Sequence, residues 1–173
     1  MEKEKTNKKP DFLDYVFELN GDVTLKEAFD SSIENIDALD IDQLKRIGLR
    51  TYDTGKWSIH KVLQHLIDWE RIWCYDALIF ARNEGSVPAA LNQEIMGRNS
   101  NADELTIEQL VHELRVTRQS TILMFESFNK KILETDCVFS DYTMPLYTIG
   151  LTVAAHQIHH FNIIKERYIP LDK

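Results

Sequence analysis

An all-α fold, a four-helix bundle with a short disordered N-terminal tail, is what this sequence predicts. Apolar residues recur every three to four positions through four long stretches, the period of helices with one buried face. Only six glycines and four prolines occur among 173 residues, and most of them lie between those stretches. Strict apolar–polar alternation is almost absent. The length fits one domain, large enough to build a core without disulfides or structural metals.

Residues 1–22 read as an N-terminal tail and 23–173 as the bundle. The first ten residues are polar and Lys-rich, and 12–21 form a short apolar run of ambiguous structure. Thr24-Leu25-Lys26-Glu27 is a capping box: the Thr hydroxyl and the Glu carboxylate each accept one orphan backbone N–H. Ala28, Ile33, Ile36 and Leu39 continue the first helix, with its period reaching as far as Leu44. Asp53-Thr54-Gly55 marks a turn, and Ser58 caps the second helix. Its stripe of Ile59, Val62, Leu66, Trp69, Trp73, Ala77 and Phe80 runs to about residue 83, about 40 Å at 1.5 Å per residue. Glu84-Gly85-Ser86-Val87-Pro88 stops that helix, and residues 84–105 form a long connection.

A second capping box, Thr106-Ile107-Glu108-Gln109, opens the third helix, which carries Leu110, Leu114, Thr117, Thr121, Met124 and Phe128. Residues 136–145 are irregular, with an extended character at Cys137-Val138-Phe139. The last helix starts near Tyr147 and ends near Tyr168, before Pro170; Ile149, Thr152, Val153, His156, His160, Ile163 and Arg167 form its stripe. The short link between the first two helices predicts an antiparallel pair, and the longer links leave the topology open.

Lys and Arg number 20 against 28 Asp and Glu, a net charge of −8. Nucleic acid and anionic membranes call for a basic footprint, so neither is an expected partner. Cys74 and Cys137 have no zinc-ribbon or CxxC spacing and read as reduced thiols filling core space. With no signal-peptide pattern and no stretch approaching the roughly 20 apolar residues of a membrane span, a cytoplasmic location is expected.

Six histidines are present, and three stand out. His156 and His160 are four apart, so both project from one side of the last helix, in the middle of its apolar stripe. Two imidazoles on a core face are costly unless their nitrogens are satisfied. The same spacing lets two imidazoles converge on one cation. A pair of hydrogen-bonded core histidines is the competing explanation. His65, on the flank of the second helix's stripe, can face a neighbouring helix and supply a third imidazole. Three imidazoles with an open position are a common zinc set, and nickel or ferrous iron also accept it. His60 and His112 read as surface residues, and His159 points about 100° away from its neighbour His160.

Sharper motifs fail. His156-Gln157-Ile158-His159-His160 has the spacing of a zinc protease, but Gln157 cannot serve as the general base that a carboxylate provides. His112-Glu113 lacks the second His, because position 116 is Val. No His has a Glu three residues before it, as a di-iron bundle needs. Gly55-Lys56-Trp57-Ser58 has Arg50 where a phosphate loop needs its first Gly. Asp68, Glu70 and Asp76 read as mostly solvated, with Glu70 nearest the stripe. The helical spacing of Trp57, Trp69 and Trp73 makes them core rather than a binding cage.

The segment Gly55-Lys56-Trp57-Ser58-Ile59-His60-Lys61-Val62-Leu63-Gln64-His65-Leu66-Ile67-Asp68-Trp69-Glu70, with His156-Gln157-Ile158-His159-His160-Phe161-Asn162-Ile163-Ile164, resembles the DinB-like superfamily, which includes the YfiT-type proteins. The resemblance covers residues 24–168. It implies a four-helix bundle, often a homodimer, that binds a divalent metal ion through His65, His156 and His160. It further implies metal-dependent chemistry on a small-molecule substrate. Some relatives are S-transferases or isomerases using low-molecular-weight thiols such as bacillithiol or mycothiol, and others are hydrolases. No residue here selects a particular thiol. A thiol S-transferase or hydrolase is therefore the expected function, and a non-catalytic bundle with a vestigial metal site is the alternative.

Overall fold

The computed structural model describes residues 12–172. The polar segment 1–10 lies outside the described residues. Eight helices and one small hairpin follow in order. They are α1 (Phe12–Asn20), α2 (Leu25–Asp37), α3 (Ile41–Ile47), α4 (Ile59–Ala81), α5 (Gln93–Asn99), α6 (Ile107–Glu126), α7 (Lys130–Leu133) and α8 (Leu146–Ile163). Strands β1 (Asp136–Val138) and β2 (Thr143–Pro145) pair antiparallel just before α8, with Cys137 opposite Met144.

The bundle consists of α2, α4, α6 and α8. Helix α4 packs on α6 and α8, and α2 packs on the same two, so α2 and α4 sit diagonally across the bundle. The pairing of the first two helices expected from their short link is thus replaced: α3 intervenes and carries the chain across the end of the bundle. The break has a local cause. Asp40 caps α3 by accepting from the Gln43 N–H at 2.9 Å. The period that runs on to Leu44 therefore belongs to a separate helix. Both expected capping boxes are present, at Thr24 with Glu27 and at Thr106 with Gln109, and Ser58 caps α4.

Part of the stretch assigned to the tail is folded. Leu13 and Val16 of α1 are buried against α8, and Asn20 donates to the Leu151 carbonyl at 3.0 Å. The long connection 84–105 holds α5 and a short 3-10 turn at Ala102–Glu104. Past Ile163 the last helix widens into a π turn over Ile164–Tyr168. No helix among the described residues is long and apolar enough to cross a membrane.

The core has two main apolar clusters. One gathers Ile36, Leu44, Ile47, Ile59, Leu63, Ile67, Leu110, Leu114 and Tyr168; the other gathers Phe29, Ala77, Phe125, Cys137, Leu146, Ile149 and Val153. Along α4, α6 and α8 the residues between these clusters include Glu70, Arg118, His156 and His160. A polar girdle thus divides the bundle, and the candidate site is part of it. Both cysteines are free, and burial pushes their thiols up to about 11 at Cys74 and about 12 at Cys137.

Candidate metal centre

Helix α4 delivers His65 and α8 delivers His156 and His160, because these two helices are neighbours and each carries its imidazoles on the face turned toward the other. The His65 and His156 Nε2 atoms lie 3.0 Å apart, and those of His160 and His156 lie 3.1 Å apart. Ligand atoms of all three lie within 4.8 Å of one another. The three residues singled out in the sequence are brought together, across 91 positions of chain between His65 and His156.

The donor set fits a cation better than a hydrogen-bond network. Each Nε2 has one in-plane position, a proton or a lone pair. The His156 Nε2 faces two partners with that single position, so the imidazoles cannot fully satisfy each other. Three lone pairs on neutral rings have no such conflict around a cation. The two close spacings approach the value of about 3.3 Å for two nitrogens on a tetrahedral zinc at roughly 2.0–2.1 Å.

Burial keeps the rings neutral, which is the ligating form. It pushes His65 down to about 4, with the neighbouring His159 adding to the shift. It pushes His160 down to about 3, helped by His65 and His159. His156 falls well below the ordinary imidazole range, again through burial first and then through the charges of its histidine neighbours and Arg118.

Three tryptophans wall the cluster. The Trp57 ring lies 5.1 Å from His65, Trp73 lies 5.0 Å from His156, and Trp69 lies 6.2 Å from His65. Their spacing reads as core, and they are half-buried, but their rings also meet the imidazoles, tilted or edge-to-face. One side is open. A hollow of about 220 Å³ reaches His65 and His160 and is lined further by Tyr52, Lys56, Trp57, Glu94 and Tyr168. The larger hollow of about 390 Å³, between α2, α3 and α8, touches none of the three histidines.

The remaining histidines do not join. His60 is buried, not on the surface as its polar neighbours imply, because the turn before α6 covers it and the Leu105 carbonyl meets its Nδ1 at 2.9 Å. His112 is exposed. His159 turns to α1, with Nδ1 2.7 Å from the Tyr15 hydroxyl. Glu70 and Asp76 are buried rather than solvated. Glu70 accepts two hydrogen bonds from Arg118, at 2.9 and 3.0 Å, and both residues are at most 2% exposed. That ion pair has a faint signal in the sequence, a charge at the apolar spacing on each helix: Glu70 four after Leu66 and Arg118 four after Leu114.

A profile described as the DinB superfamily matches residues 24–164. The chain belongs to that family. Among solved structures it is similar to a protein described as "YfiT from Bacillus subtilis is a probable metal-dependent hydrolase with an unusual four-helix bundle topology". The TM-score is 0.61 at 13% identity, covering 96% of this chain and 93% of that one. At that identity the likeness shows a shared fold. No curated protein matches this chain in sequence.

Proposed function

We propose that His65, His156 and His160 hold a divalent metal ion, zinc before nickel or iron, and that the protein is a metal-dependent enzyme acting on a small molecule. The convergence of three neutral imidazoles from α4 and α8 carries this reading. Such an ion, when bound, lowers the pKa of a water or thiol ligand and so supplies a nucleophile near neutral pH.

The protein's own residues do the rest. Three protein ligands leave room for one exogenous group, and the hollow beside His65 and His160 gives a small molecule access. Trp57, Trp69 and Trp73 shield the imidazoles from bulk water, which keeps them neutral over the physiological range. With water as the nucleophile the reaction is hydrolysis; with a low-molecular-weight thiol it is S-transfer to an electrophile. The description of the YfiT fold neighbour as a probable metal-dependent hydrolase supports the first. The sequence resemblance to thiol-using relatives supports the second.

Zinc-loaded protein incubated with an activated ester, and separately with a thiol and a chloroarene electrophile, distinguishes the two. Turnover in one assay that disappears in H156A supports the metal-centred reading. Equal turnover by H156A contradicts it. Full metal loading with no turnover in either assay favours a non-catalytic bundle. The homodimer that the resemblance implies is tested by sedimentation velocity on the same preparation, where a monomer at all concentrations removes it.

A further inference from the structure

The hollow at His65 and His160 continues into a second one of about 340 Å³, and the two share Gly55, Lys56, Trp57 and Glu94. The second adds Lys61 and Arg98. Three cations along one groove stand out in a chain of net charge −8. Lys61 is engaged, 3.3 Å from Asp103. Lys56 and Arg98 are exposed and have no ion-pair partner among the described residues; the Lys56 ammonium lies 6.0 Å from the centre of the Tyr52 ring. Glu94 is the one carboxylate without an ion pair on this rim, so two free cations face one free anion.

The placement of Arg98 and Glu94 is fixed by packing. Both belong to α5, and α5 presses on Trp57 at Gly97, where a Cβ would come within 2.6 Å of the Trp57 ring. The same indole stands 5.1 Å from His65. One aromatic wall therefore runs from the histidines to the cations.

We propose that this groove binds a small molecule by an anionic group, a carboxylate or a phosphate, through Lys56 and Arg98. Its apolar body lies against Trp57 and Tyr52, and its reactive end lies toward His65 and His160. The direction of the reactive end rests on the proposed metal-dependent function; the anion subsite itself needs no metal. An arginine fork and a lysine point charge are a usual pair for oxyanions, since the first orients the group and the second neutralises it.

The test uses metal-free, ¹⁵N-labelled full-length protein and three probes: phenylacetate, phenyl phosphate and the neutral phenylacetamide. Binding is read from the Gly55 and Arg98 amides and the Trp57 indole N–H. At least one anion is expected to bind roughly fivefold more tightly than the amide at low salt, the scale of two exposed ion pairs. That advantage should shrink as salt is raised. It should vanish in K56A/R98A and grow in E94Q. Which anion leads tells carboxylate from phosphate. Equal affinity for charged and neutral probes overturns the proposal, as does an advantage that survives in K56A/R98A, or no binding of any probe up to about 20 mM. Cobalt titration of the same samples, followed by its visible absorption, reports the metal site separately. Absent cobalt binding with a retained anion preference would remove the metal reading alone.

Discussion

At the scale of single residues, the three imidazoles are held far from their ordinary basicity, and this has a signed consequence for stability. An exposed imidazole in the unfolded chain titrates near 6.5. Burial pushes His65 and His160 in the folded metal-free protein down to about 4 and about 3. Between those values the unfolded chain binds more protons, so stability rises with pH there. The contribution is complete above about pH 6.5 and is lost as pH falls through the folded values. Urea midpoints of the metal-free protein should therefore drop steeply from pH 6.5 to 4.5, and H65F/H160F should drop less. Parallel pH dependences would contradict the burial of these rings. The Glu70–Arg118 pair makes a second residue-scale prediction. E70A leaves a buried guanidinium unpaired and should cost about 3–5 kcal/mol in denaturant unfolding, whereas E70L/R118M should cost far less. The first of these features is legible in the sequence and the second is not. His156 and His160 stand out because their helical phase coincides with Ile149 and Val153. Glu70 does not, because a charge near the edge of a stripe reads as solvated until its partner on another helix is known, and no local pattern names Arg118.

At the scale of elements, the long helices follow from local chemistry. Capping residues at Thr24, Ser58 and Thr106 open α2, α4 and α6, and apolar phase carries them. The shorter pieces have no such local signal, for a physical reason. Helix α5 is seven residues with a glycine inside, too short to nucleate alone, and it exists because Gly97 lets it lie on Trp57. Helix α1 owes its order to the burial of Leu13 and Val16 on α8. G97A tests the first of these. In an isolated helix the change would add about 1 kcal/mol of stability. Here the new methyl meets the rigid indole, so the protein should instead lose about 1–3 kcal/mol and its Trp fluorescence should shift. A more stable G97A with unchanged fluorescence would mean that α5 does not pack this way.

At the scale of the molecule, the histidines join α4 to α8, with His156 and His160 between two apolar clusters, so a cation bound there ties the two helices together inside the bundle. A ligand that binds only the folded state stabilises it by mass action, about 4 kcal/mol at a thousandfold excess over Kd. For a domain of this size that corresponds to a rise in Tm of roughly 10 °C. The most direct measurement is elemental analysis of protein purified without a metal-binding tag, run beside H156A and beside chelator-treated protein reloaded with zinc. Near one equivalent of a divalent metal per chain, lost in H156A, restored by zinc and accompanied by that rise in Tm, is the predicted result. Metal-free protein that takes up no zinc, or H156A holding as much as the parent, would contradict it.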